Sequence, residues 1–258
     1  MSISSIYASD ISNGTITKLH EDGTRVVVAT GLAGPAGMAL DDLGNLLFVA
    51  NSTSGTIEKF RPDGVRSVFA SGLSRPMGLA RDASGHLYVY SASPVAGGGT
   101  ITKFGPGGNP SPFAAGLDSN NPYLAFDNTG SLHANTIRSV KKFAANGVAT
   151  DVLTRLEFIY GIALDSANQL YVGLQNSGSI LNLPYKGYVL PNDNAVFNPA
   201  GLGIDATSGC LYVAFGDSVR KYHLDGTGAV LAAGFGNTQY LAVYSPPAAP
   251  TGLRIVSP

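Results

Sequence analysis

The sequence predicts an all-β fold, a β-propeller of six four-stranded blades, and three observations carry that expectation. The chain repeats itself. Pro35-Ala36-Gly37-Met38-Ala39-Leu40-Asp41, Leu47-Phe48-Val49-Ala50-Asn51 and Gly55-Thr56-Ile57-Glu58-Lys59-Phe60 return as Pro76-Met77-Gly78-Leu79-Ala80-Arg81-Asp82, Leu87-Tyr88-Val89 and Gly99-Thr100-Ile101-Thr102-Lys103-Phe104, with weaker copies from Asn121, Ile159 and Pro199. The aspartates closing the first segment, Asp41, Asp82, Asp127, Asp165 and Asp205, recur at intervals of 41, 45, 38 and 40 residues. Units of that length built from short apolar runs cannot bury their own faces, so the copies must stack. Finally, no segment sustains helical periodicity.

Each copy supplies four strands. The first is small-residued and apolar (37–40, 78–80, 123–126, 161–164, 201–204), and the second carries Leu-aromatic-Val, as in Leu170-Tyr171-Val172 and Leu211-Tyr212-Val213. The third ends in Lys-Phe or an analogue, and the fourth is short, as in Val26-Val27-Val28 and Val68-Phe69-Ala70. Between third and fourth strands stand pairs such as Asp22-Gly23, Asp63-Gly64, Asn146-Gly147 and Asp225-Gly226, residues that tolerate the positive φ of tight hairpins. Residues 5–30 lack a first strand and residues 238–244 look like a first strand with nothing after it. Pairing 239–244 with 5–9 completes a sixth blade and removes two open sheet edges. The propeller domain therefore spans 1–244. Residues 245–258 read as a proline-rich linker, or as the start of a following, truncated module resembling fibronectin type III.

Composition excludes several functions. Charged residues make up 13% of the 258-residue chain and the formal net charge is -1, so no basic footprint for nucleic acid exists. No apolar run is long enough to span a bilayer. Cys210 is the sole cysteine, so no internal disulfide can form. No signal peptide is visible in residues 1–12.

The pattern Pro-x-Gly-apolar-Ala-x-Asp, Gly-x-Leu-Tyr-Val-Ala, Gly-x-Ile-x-Lys-Phe resembles the NHL repeat, over residues 5–244. The resemblance implies a six-bladed propeller whose ligands meet one face at the mouth of the central channel. It implies no single activity, since such propellers include amidating lyases, lactonase-like hydrolases, antibiotic lyases, RNA-binding modules and recognition domains. The lactonase-like relatives place Asn after the first-strand Pro, whereas this chain has Ala36, Met77 and Ala200 there. His20, His86, His133 and His223 occupy different repeat positions, which argues against zinc ligation. His133 stands where other copies carry Phe48, Tyr88, Tyr171 or Tyr212, a packing position.

The expected site is the mouth formed where first strands begin and second strands end. Its candidate ligand-binding residues are Arg75, Asn51, Asn121, Asn135, Asn198 and Asn237, amide and guanidinium donors suited to peptides or sugars. Tyr123 and Tyr240 replace the first-strand glycine in opposite blades, with Tyr160 one residue outside that position, and either line a binding site or plug the channel. The expectation is a non-catalytic recognition or scaffold propeller, secreted or at the cell surface, with a peptide, glycan or protein-domain partner, no nucleic acid, no membrane insertion and no cofactor. One alternative is a hydrolase or lyase holding Ca²⁺ weakly through Asp10, Asp217 and Glu157. Another is a structural spacer in a larger surface protein.

Overall fold

A computed structural model describes residues 5–41, 44–118, 121–183, 187–188, 199–205, 208–223 and 225–244. Every helix or strand among them is a strand. The first three are β1 (Ser5–Asp10), β2 (Thr15–Leu19) and β3 (Arg25–Ala29). Four antiparallel meanders of four follow. They are β4 (Pro35–Leu40), β5 (Leu47–Asn51), β6 (Thr56–Phe60) and β7 (Arg66–Ala70); β8 (Pro76–Arg81), β9 (Leu87–Ser91), β10 (Gly99–Phe104) and β11 (Pro110–Leu117); β12 (Leu124–Phe126), β13 (Leu132–Asn135), β14 (Val140–Phe143) and β15 (Ala149–Leu153); and β16 (Ile159–Leu164), β17 (Leu170–Leu174), β18 (Ile180–Leu183) and β19 (Gly187–Tyr188). Last come β20 (Leu202–Ile204), β21 (Leu211–Tyr222) and β22 (Gly228–Tyr244), which join β1–β3 in a six-stranded sheet ordered β20-β21-β22-β1-β2-β3.

The described residues therefore form five hydrogen-bonded sheets, and the expectation of six separate blades is corrected. The cause lies in β21 and β22, which run on where a repeat would turn. Residues 228–233 of β22 pair with β21, while residues 238–244 pair with β1. In the second set Ser5 meets Tyr244, Tyr7 meets Ala242 and Ser9 meets Tyr240, so the two ends of the propeller are joined by strand pairing. Around the axis β4, β8, β12, β16, β20 and β22 adjoin one another in turn, and β22 adjoins β4. Sheets converge there. A Cβ on Gly161 would lie 2.6 Å from the Ala200 carbonyl oxygen, and one on Gly201 would lie 2.7 Å from that of Gln239. Glycine is needed at these two places because the neighbouring backbone occupies the side-chain volume. The domain boundary at 244 and the linker reading of 245–258 involve residues outside the described ones.

Two repeat signatures acquire physical causes. The periodic aspartate closes the hairpin between first and second strands. Asp82 Oδ1 accepts the N–H groups of Ser84 (3.0 Å) and His86 (2.8 Å), and Asp165 Oδ1 those of Ala167 (2.9 Å) and Gln169 (2.8 Å), which is why the position recurs. The Leu-aromatic-Val ring and the Lys of the third strand are cross-strand partners. Lys18 sits over Tyr7 at 5.7 Å and Lys103 over Tyr88 at 5.3 Å, a cation–π pairing built into the repeat. The same rings pack against the next sheet: Tyr88 meets Phe126 edge-on at 5.2 Å, and Phe48, Phe69 and Phe104 form a chain of rings.

Candidate functional site

At the end of the axis where inner strands begin, Tyr123 and Tyr240 stack on each other with centroids 4.5 Å apart and planes 20° from parallel. They are 6% and 2% exposed. The Tyr123 hydroxyl donates to the Gln239 carbonyl, whereas the Tyr240 hydroxyl is buried with no protein partner. Burial pushes both phenols well above their ordinary pKa, so both stay protonated at any physiological pH. The pair belongs to one buried cluster with Ala36, Met77 and Ile159 of the inner strands.

The predicted asparagines divide by burial. Asn135 is fully buried; its Oδ1 accepts the Tyr123 N–H (2.6 Å) and its Nδ2 donates to the Asn121 carbonyl (3.1 Å), so it orients the tyrosine. Asn51 is also buried and donates to Thr56 Oγ1 (3.3 Å). Asn121, Asn237 and Tyr160 are half-buried, and Asn198 lies outside the described residues. Asn237 accepts from Gln239 Nε2 at 3.3 Å. Arg75 is exposed, with Nη2 4.0 Å from Met77 Sδ. Its φ is 42°, whereas the equivalent residue before Pro35 is Gly34 at φ 70°. A side chain in that region costs roughly 1–2 kcal/mol, so Arg75 holds a place that favours glycine. Arg155 does the same at φ 61°, where Gly31 and Gly72 have φ 67° and 75°.

The acidic alternative is not assembled. Asp10 is buried, and its carboxylate accepts from the N–H groups of Asn13 (3.1 Å), Gly236 (2.6 Å) and Asn237 (3.1 Å) and from Asn13 Nδ2 (2.8 Å). Burial alone would raise its pKa, but these bonds outweigh it and hold the carboxyl below its usual range. It ties the turn between β1 and β2 to Gly236 and Asn237 in the middle of β22. Glu157 accepts from Ser177 Oγ, and Asp217 is exposed. Among the described residues no group of three His, Cys, Asp or Glu side chains is placed to hold a metal.

One cluster was not foreseen. Asp127 Oδ2 accepts from Lys142 Nζ at 2.7 Å and from His133 Nε2 at 3.2 Å, with the Asp127 and His133 side chains 3% and 7% exposed. Each residue sits at a repeat position whose partners the register determines: periodic aspartate, second-strand ring, third-strand lysine. With His133 in place of a ring, the lysine turns to the aspartate instead. A further cavity of about 470 Å³, lined in part by Asp41, Arg81 and Tyr244, opens at the other end of the axis, where the sequence pointed to nothing.

No family model and no curated protein matches the chain in sequence. Solved structures do match in fold. A chain of the nidogen/laminin complex aligns over 95% of this chain and 100% of its own length, with a TM-score of 0.80 at 13% identity. A gluconolactonase from Xanthomonas campestris aligns over 90% and 83%, with a TM-score of 0.66 at 17% identity. Virginiamycin B lyase from Staphylococcus aureus aligns over 87% and 79%, with a TM-score of 0.61 at 13% identity. At these identities the likeness is one of β-propeller fold, shared by enzymes and by a protein of a binding complex.

Proposed function

We propose that this propeller is a non-catalytic recognition domain, built from six NHL-like units, that binds a peptide, glycan or partner domain on the rim around the Tyr123–Tyr240 stack. In this reading residues 228–233 and 238–244 of β22 belong to different units. The observation that carries the functional proposal is Arg75: an exposed guanidinium kept in a backbone conformation that favours glycine. Strain of this kind is maintained where a side chain is required. Asn121, Asn237 and Gln239 are half-buried amides adjoining the stacked tyrosines in the chain, and the Gln239 carbonyl accepts from the Tyr123 hydroxyl. Partner proteins or glycans outside the cell suit such a surface of uncharged donors and acceptors.

The test is display of the folded protein against a glycan array and a random peptide library, in parallel with Arg75→Gly. A ligand retained by the wild type and weakened at least tenfold by Arg75→Gly supports the reading. Hydrolysis of a sugar lactone that requires added Ca²⁺ would replace it with the enzymatic one. Ligands bound equally well by Arg75→Gly would move the site away from this rim.

A further inference from the structure

Between the β12–β15 sheet and the β16–β19 sheet lies a cavity of about 580 Å³, the size of small-molecule sites. Its origin is traceable residue by residue. Successive sheets pack through rings in three repeat positions, occupied by Phe48, Phe69 and Phe104 at one junction and by Tyr88, Phe113 and Phe143 at the next. At the cavity the same three positions hold His133, Val152 and Leu183. All three are smaller, so this junction is less filled than the other two. Leu153, Leu164 and Leu170 complete its apolar walls.

The polar end has a defined hydrogen-bond balance. Asp127 has no capacity left. Its Oδ1 accepts from Thr129 N, Thr129 Oγ1 and Ser131 N, and its Oδ2 from His133 and Lys142. Lys142 uses one of its three N–H donors on Asp127, and its side chain is 41% exposed at the cleft. His133 Nδ1 is buried without a partner. The carboxylate is therefore sealed inside and the cation faces outward, so an entering molecule meets positive charge at the end of an apolar slot.

We infer that this inter-sheet cleft binds a small aliphatic monocarboxylate, its chain against Leu153, Leu164, Leu170 and Leu183 and its head group on Lys142. The site is independent of the rim, and its binding survives Arg75→Gly.

Calorimetric titration with hexanoate, octanoate and 1-octanol tests it. Octanoate should bind one to one and about tenfold or more tighter than hexanoate, since each buried methylene contributes roughly fourfold. Lys142→Met should weaken octanoate about tenfold while leaving 1-octanol unchanged. His133→Tyr should abolish binding, because it restores the ring of the other repeats. Tyr171 already shows the fit, its hydroxyl 3.4 Å from Asp165 Oδ2 in the equivalent pair of positions. Should that variant fail to fold, Val152→Phe fills the cleft from the other wall with the same expected loss. No octanoate binding at millimolar concentration, or undiminished binding in whichever filled variant folds, overturns the proposal. Equal affinity for octanoate and 1-octanol, unaffected by Lys142→Met, refutes the carboxylate assignment.

Discussion

Deleting the phenolic oxygen from each stacked tyrosine in turn should shift stability in opposite directions. In Tyr240→Phe the stack at 4.5 Å is kept and a buried hydroxyl without a protein partner is removed. Relief of that desolvation should stabilise the fold by roughly 1–2 kcal/mol. In Tyr123→Phe the same stack is kept, but the bond to the Gln239 carbonyl is lost inside the axis, at a cost of about 1 kcal/mol. For a chain of this length each kcal/mol moves Tm by roughly 2–4 °C, so the two variants should differ by about 4–12 °C. Urea unfolding at constant slope is the assay, because a changed slope would signal altered compactness. Alanine at either position should cost on the order of 3–5 kcal/mol, the range for a buried aromatic. Equal destabilisation by both phenylalanine variants would refute the reasoning, since the asymmetry rests wholly on one hydroxyl being bonded and the other not.

Other expectations follow from the same geometry. Gly201→Ala places a methyl 2.7 Å from the Gln239 carbonyl oxygen and should cost on the order of 1–3 kcal/mol by urea unfolding, provided the inner strands cannot part. Ending the chain at residue 237 removes the partner of β1 and should abolish a single cooperative thermal transition. Burial holds the folded His133 pKa below 6.5, with Lys142 adding to the effect and Asp127 opposing it. The unfolded chain therefore takes up a proton first, and stability should decline as pH drops below 6.5. That slope should be smaller in His133→Tyr, as followed by Tm against pH. Asp127 acts at lower pH: burial raises its pKa, the bonds from Lys142, Thr129, Ser131 and His133 lower it further, and the stability it gives is lost only as pH falls beneath the unfolded carboxylate range near ~3.9.

Much of the architecture could be read from residue spacing. Asp41, Asp82, Asp127 and Asp165 recur because each closes the same hairpin, and that bond depends on local sequence alone. The joining of 239–244 to β1 was visible because both segments lacked a neighbour. The single six-stranded sheet built through β21 and β22 was not visible, since Gly216, Asp217 and Gly236 look like turn residues and only the long-range pairing carries the strands across them. The site was partly legible. Tyr123 and Tyr240 departed from glycine and do meet on the axis, yet no spacing shows whether rings face each other or solvent. Asn51 and Asn135 looked like rim donors but are buried at the ends of β5 and β13, because side-chain direction there depends on the register with neighbouring strands. The Asp127–His133–Lys142 cluster is not legible in the spacing, because its members hold three different repeat positions and only cross-strand register brings them together.

The seam between β1 and β22 gives the molecule a mechanical direction of weakness. Ser5 and Tyr244 are directly paired antiparallel residues at one end of that seam, where the chain enters and leaves the ring. Tension applied through these two points loads the hydrogen bonds one after another, as in a zipper, whereas a shear geometry would load them together. Held under load between neighbouring domains, the propeller should give way first at this junction, at low force, with its other four sheets intact.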